Sequence, residues 1–137
     1  MPKVLARIGG DKYKTSIQAR THTILADEPV ELGGEDQGPA PAELLSASLA
    51  SCTAITLKMY IARKQWAVEH VEVEVDYNTD NTLNITKFTR KIRVDATLEQ
   101  KQLESLMKIA NTCPIHKILD RQIQIETHLQ LHESRTV

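Results

Sequence analysis

The sequence is poor in aromatic residues: Phe88, Trp66, Tyr13, Tyr60 and Tyr77 are the whole set among 137 residues. They are scattered, which excludes a surface of stacking platforms for single-stranded nucleic acid. No excess of charge exists in either sign, because 17 Lys and Arg oppose 18 Asp and Glu for a net charge of −1. That balance excludes a strongly basic nucleic-acid binder and a polybasic membrane-surface protein. Cysteine is scarce, with only Cys52 and Cys113, too few for a disulfide scaffold. Met1–Gly10 lacks the apolar run of an export signal, so a reducing, cytoplasmic setting is expected. The chain has no phosphate-binding loop, no Gly-x-Ser-x-Gly elbow and no dinucleotide fingerprint, and nothing in it implies a cofactor. Repeats, low-complexity tracts and long linkers are also missing.

What is present is ordinary for a soluble globular protein, at 41% apolar and 26% charged residues, and the length suits one domain over residues 1–137. The longest apolar stretch, Ala42–Ala62, is interrupted by Glu43, Lys58 and several hydroxyl residues. It reads as the central helix of a core and not as a membrane span.

Patterning predicts the elements. Lys3–Ile8, Tyr13–Ala19 and Thr21–Ala26 alternate around a Gly9-Gly10-Asp11 turn, giving an antiparallel meander. A loop rich in Gly and Pro, residues 33–41, follows. Pro41 suits the first position of a helix and Glu43 its first turn. That helix is expected to reach about Lys64, with Leu45, Leu49, Cys52, Thr56 and Met59 on its buried face. Val68–Tyr77 and Ile85–Val94 form a hairpin turning at residues 78–81, with Val71, Val73, Val75, Phe88, Ile92 and Val94 on one face. Glu99–Ala110 is an amphipathic helix burying Leu103, Leu106, Met107 and Ala110. Pro114 restarts a short helix at Ile115–Leu119. Gln122–Leu131 alternates as a last strand, and His132–Val137 is a frayed tail. The order βββ-α-ββ-αα-β argues for an α+β fold.

Two readings of the cysteines stay open. Each is a small buried hydrophobe or a reactive thiol. Cys52 sits in mid-helix, in Ala50-Ser51-Cys52-Thr53-Ala54, so no helix terminus can activate it and a cation must. Cys113 precedes a short helix, where free backbone N–H groups stabilise a thiolate, and His116 is placed to add to this. Cys113 and His116 have a Cys-x-x-His spacing. A structural zinc needs four ligands, and His22, His70 and His128 offer no second pair, so no metal is expected.

Three motifs taken together resemble the OsmC/Ohr family of osmotically induced and organic-hydroperoxide-resistance proteins. They are Gly38-Pro39-Ala40-Pro41-Ala42-Glu43-Leu44-Leu45, Ala50–Ala54 and Cys113-Pro114-Ile115-His116. The resemblance implies an intertwined homodimer with antiparallel sheets wrapped around central helices. It implies a peroxidase that reduces organic hydroperoxides, with Cys52 peroxidatic and Cys113 resolving through a Cys52–Cys113 disulfide. It also implies a dithiol reductant such as a lipoyl group. The family's thiolate-pairing Arg and the Glu that holds it carry over to Arg20, with Arg7 and Arg63 as other candidates, and to Glu43. Glu43 lies nine residues before Cys52 where the better-known members have ten. Read on their own, Glu43 is a helix-start dipole partner and Arg20 an exposed strand residue. The apolar flanks of Cys52, including Leu49, Ile55 and Met59, favour apolar hydroperoxides. Two other functions fit the same residues: a redox-sensing or apolar-ligand-binding member of the fold without efficient turnover, and a structural protein with inert thiols.

Overall fold

Short alternating runs punctuated by tight turns make the N-terminus a meander. In the computed structural model, which describes residues 3–131, it comprises β1 (Leu5–Ile8), β2 (Thr15–Ala19) and β3 (His22–Ala26). The three strands are antiparallel in the order β1-β2-β3, with Ile17 opposite both Ala6 and Ile24. Leu5, Ile8, Ile24 and Leu25 remain exposed, so this sheet has little core of its own within the protomer.

The meander is fastened to the loop ahead of the first helix by one carboxylate. Asp27 is 2% exposed, and its oxygens accept the N–H of Glu28 at 2.7 Å and of Gln37 at 3.1 Å. Its own N–H donates to the Pro39 carbonyl at 3.1 Å. Burial pushes the Asp27 carboxyl up, but the N–H groups of Gln37, Glu28 and Glu35, with Lys14 nearby, outweigh this and hold it below the usual range. The approach is so close that a Cβ on Gly38 would lie 2.4 Å from the Leu25 carbonyl oxygen, and only glycine fits there.

The loop delivers the chain into α1 (Pro41–Lys64). Pro41 occupies its first turn, and Glu43 Oε1 reaches back to accept the Ala40 N–H at 2.8 Å. Gln65 ends it in the left-handed conformation, φ 58°. The buried row is Leu49, Thr53, Leu57 and Ile61, at steps of four, which corrects the expected stripe. Leu45, Ile55 and Met59 are exposed, and Cys52 lies at the edge of the buried row. The expectation failed because α1 is apolar on nearly every face. Periodicity alone then does not say which face meets the rest of the chain. By length and composition α1 is also able to cross a membrane, yet here it packs on the hairpin and both later helices as a core helix.

β4 (Val71–Asp80) and β5 (Ile85–Val94) pair antiparallel from Val71↔Val94 to Asp80↔Ile85. The turn lies at residues 81–84 and not at 78–81, because Asp80 accepts the N–H of Thr82 and Leu83 and nucleates it there. Asp95 ends the hairpin: the His70 N–H, the His70 ring at 2.8 Å and the Glu69 N–H at 3.0 Å together hold its carboxyl at a pKa of about 2. Next come α2 (Gln100–Ala110) and α3 (Pro114–Leu119). Leu57, Ile61, Val68, Leu106 and Ala110 form the core between α1, α2 and the hairpin. Leu103 and Met107 were expected in it but are exposed, on the rim of a cavity described below.

The expected strand Gln122–Leu131 does not form, and these residues have no regular secondary structure. A strand is a property of a pair, and among the described residues no edge pairs with this segment. Its alternating apolar residues stay in water, with Ile125 86% and Leu129 97% exposed. The expected tail His132–Val137 lies outside the described residues. The order among the described residues is thus βββ-α-ββ-αα, an α+β architecture with two antiparallel sheets and three α-helices.

The Asp27 carboxylate carries a pH prediction. A folded value held below the unfolded one contributes stability that is present above the unfolded value and is lost as pH falls through the folded one. Asp27→Asn is therefore expected to lower the thermal midpoint near neutrality and to flatten its decline on acidification below about pH 4. Melting curves across that range check it. A variant that keeps the parent's midpoint and acid slope would show that the carboxylate carries no such role.

Candidate functional site

The two cysteines, 61 positions apart in the sequence, meet at the junction of α1 and α3. Each enters from a different element. Cys52 projects from the middle of α1 and is partly exposed, whereas Cys113 is fully buried at the N-cap of α3. Its φ of −54° and ψ of 130°, set just before Pro114, turn the chain so that Sγ accepts the His116 N–H at 3.4 Å. The short helix thus places free N–H groups around Cys113, as its position ahead of Pro114 suggests.

The two thiols are close enough to perturb one another, and their environments push them in opposite directions. Burial and the neighbouring Cys113 raise the Cys52 thiol, against the Ile115 N–H and the Thr56 hydroxyl, which lower it. Burial also raises Cys113. There the neighbouring Cys52 thiol, the His116 N–H, which donates to the sulfur, and the nearby Thr53 hydroxyl prevail, so Cys113 is lowered. The pair titrates as a unit.

Behind the thiols lies a cation absent from the sequence expectations. Arg90 on β5 donates from Nη1 to Thr53 Oγ1 at 3.0 Å and to the Ala110 carbonyl at 3.3 Å. Its Nη2 donates to Asn111 Oδ1 at 2.9 Å and His116 Nδ1 at 3.2 Å. The sequence does carry a signal for it. Arg90 is in phase with Phe88, Ile92 and Val94, a charge on the apolar face of a strand. Beside this cluster opens a cavity of about 580 Å³ walled by Leu49, Phe88, Ile92, Leu106 and Met107, with Arg90, Asn111 and His116 as its polar side.

Glu43 and Arg20 are not brought to the thiols within the protomer. Nine residues at about 100° each put Glu43 roughly half a turn away from Cys52 around α1. There its carboxylate caps the helix and faces Val73 and Tyr77 of β4. Arg20 sits at the exposed β2–β3 turn with φ 56°, and among the described residues no hydrogen bond or ion pair joins it to either cysteine. Arg7 is exposed on β1, and Arg63 lies over the Tyr60 ring at the far end of α1. His116 Nδ1 lies 3.2 Å from Arg90 Nη2, and its Nε2 lies 3.8 Å from Asp120 Oδ2. The set of three potential ligands among the described residues, Glu69, His70 and Asp95, is exposed at the start of β4 and includes neither cysteine.

The mutual arrangement of the thiols is testable without any substrate. Cys52→Ala removes the neighbouring thiol that lowers Cys113. The remaining thiol is expected to titrate higher, toward or past about 8.5, in ultraviolet thiolate absorbance. A titration at or below that of the parent's first thiol would show that the two sulfurs do not share a proton.

Comparison with known proteins bears on the same residues. Among curated proteins no sequence match is found. Among solved structures the chain is similar to a Psychrobacter arcticus protein provisionally named an osmotic stress induced and detoxification response protein. The TM-score is 0.73 at 23% identity, over 85% of this chain and 87% of that one. It is also similar to an organic hydroperoxide resistance protein from Legionella pneumophila (TM-score 0.60, 21% identity, 85% and 87% covered). The organic hydroperoxide resistance protein of Bacillus subtilis is a third relative (TM-score 0.57, 21% identity, 85% and 88% covered). Likeness at this level of identity is likeness of fold. The family model described as OsmC-like protein matches residues 34–128, from the loop before α1 through both cysteines. On that match the chain belongs to the OsmC-like protein family.

Proposed function

We propose that the protein is a thiol-dependent peroxidase that reduces organic hydroperoxides to alcohols. The observation that carries this reading is the contact between two free cysteines from separate helices, one accessible and one buried. That arrangement suits a peroxidatic and a resolving thiol. When the pair's proton moves to Cys113, the accessible Cys52 thiolate attacks the distal oxygen of a hydroperoxide. The O–O bond breaks, the alkoxide leaves and is protonated to the alcohol, and the sulfur is oxidised to a sulfenic acid. Cys113 then attacks that sulfur and forms the Cys52–Cys113 disulfide, and hydroxide leaves as water after protonation. An external dithiol, of which a lipoyl group is the type, returns both thiols by exchange. The apolar walls of the neighbouring cavity favour hydroperoxides with hydrocarbon substituents. The names of the Legionella and Bacillus relatives point the same way.

The active unit in this proposal is a homodimer. Its support is the apolar surface that one protomer leaves in water: the Leu45, Ile55 and Met59 face of α1, the meander, and Ile125, Leu129 and Leu131 of the C-terminal segment. Arg20 and Glu43, remote from the thiols of their own protomer, are then candidates to serve those of the other copy. A second reading is redox sensing or ligand binding without efficient turnover. It is favoured by the engagement of Glu43 in capping α1.

One equivalent of cumene hydroperoxide is expected to remove two free thiols and about 2 Da by intact mass. Cys52→Ser is expected to abolish turnover with a dithiol, and Cys113→Ser to stop after one turnover unless the reductant resolves the sulfenate itself. Stoichiometric oxidation without cycling would favour sensing. Unreacted thiols would end the peroxidase reading. Light scattering on the eluted protein is expected to give twice the chain mass, and a monomeric mass would remove the dimer.

A further inference from the structure

Arg90 enters a strand face otherwise made of hydrocarbon, beside Phe88, Ile92 and Val94. A cation there is costly unless its donors are met. Its four terminal N–H groups meet Thr53, the Ala110 carbonyl, Asn111 and His116 Nδ1. These partners come from α1, the end of α2 and α3, the elements that carry or flank both cysteines. No described carboxylate forms an ion pair with the guanidinium. Its charge is therefore not cancelled on the spot. Asp120 approaches only the other side of His116, with Oδ2 3.8 Å from Nε2.

One hydroxyl stands between Arg90 and the sulfurs. Thr53 is fully buried, and its oxygen accepts from Arg90 Nη1. The hydroxyl proton must then point away from the guanidinium. It has two acceptors: the Leu49 carbonyl one turn back, at 2.7 Å, and the Cys113 sulfur.

We propose that Arg90 is a positioning residue for the thiol pair. By donating to Thr53 Oγ1 on α1 and to the Ala110 carbonyl, Asn111 and His116 on either side of Cys113, it keeps the Cys113 loop against α1 and so sets how the two thiols face one another. The titratable groups around it are Cys52 on α1 and Cys113, His116 and Asp120 on α3 and its flanks. On the neighbouring strand it faces the neutral Val75. The inference rests on Cys52 and Cys113 being the reactive pair, but its test uses no peroxide. Failure of peroxidase turnover therefore leaves it standing or falling on its own.

The test compares the full-length parent with R90Q, R90K, T53V and the double variant R90Q/T53V. In R90Q the first thiol titration, read by ultraviolet absorbance, is expected to rise by about one unit. At neutral pH that cuts the thiolate about tenfold. The more basic thiolate regains roughly threefold in nucleophilicity, so alkylation by iodoacetamide slows about threefold. T53V is expected to shift the titration in the same direction, and the double variant to go little beyond the larger single effect, because both act along one path. R90K keeps the charge without the fork and is expected to recover part of the shift. R90Q that loses resistance to urea while its thiol titration stays in place would overturn the proposal and leave Arg90 as a structural clasp. Should R90Q not fold, an unmoved titration in T53V overturns it equally.

Discussion

The structure is governed by a helix whose hydrocarbon is spread around its girth. α1 presents apolar residues on several faces, and the protomer covers only part of them. β4, α2 and α3 close over the row from Leu49 to Ile61, and the core grows there. The opposite side keeps Ile55 and Met59 exposed, and the meander and the C-terminal segment carry further unpaired hydrocarbon. Burial of this kind is the main favourable term in folding, at about 25 cal/mol per Å² of apolar surface. The protomer therefore leaves much of its most hydrophobic helix outside its own core.

The same helix organises the chemistry. Thr53 belongs to the buried row, and Cys52 lies one residue away at its edge, so one turn of α1 offers both a sulfur and the hydroxyl that serves the other sulfur. α3 contributes the rest by ending the chain's run against α1 with Cys113 at a cap. A thiol buried among hydrocarbon is normally pushed up and made inert. At Cys113 a neighbouring thiol, backbone N–H groups and a hydroxyl reverse that direction.

Much of this was legible in the residues. The glycine turn, Pro41, the hairpin alternation and Pro114 each mark an element by a local rule, and those elements appear within a few positions of where the rules put them. The motif around the two cysteines marked the site. Features set by pairing or by competition between faces were not legible. Gln122–Leu131 has a strand's alternation but no edge to join. The buried row of α1 had apolar residues on other faces too, so contrast did not define it. Glu43 and Arg20 were placed by resemblance, and a helical wheel and a turn geometry show that their own protomer keeps them from Cys52. Arg90 was the reverse case, visible as a charge in the apolar register of β5. It was overlooked because an alternating strand is usually scanned for its hydrophobic residues alone.

The unequal exposure of the two sulfurs sets a direction for exchange. Were Cys52 and Cys113 joined, an incoming thiolate would reach only the outer sulfur, since the inner one is sealed from solvent. Attack at Cys52 expels Cys113, the thiol whose surroundings favour the anion, and a better-stabilised leaving thiolate departs faster. Any mixed disulfide with a small molecule or a protein would thus form on α1, at the surface. The inner sulfur would be returned to its cap without ever leaving the fold.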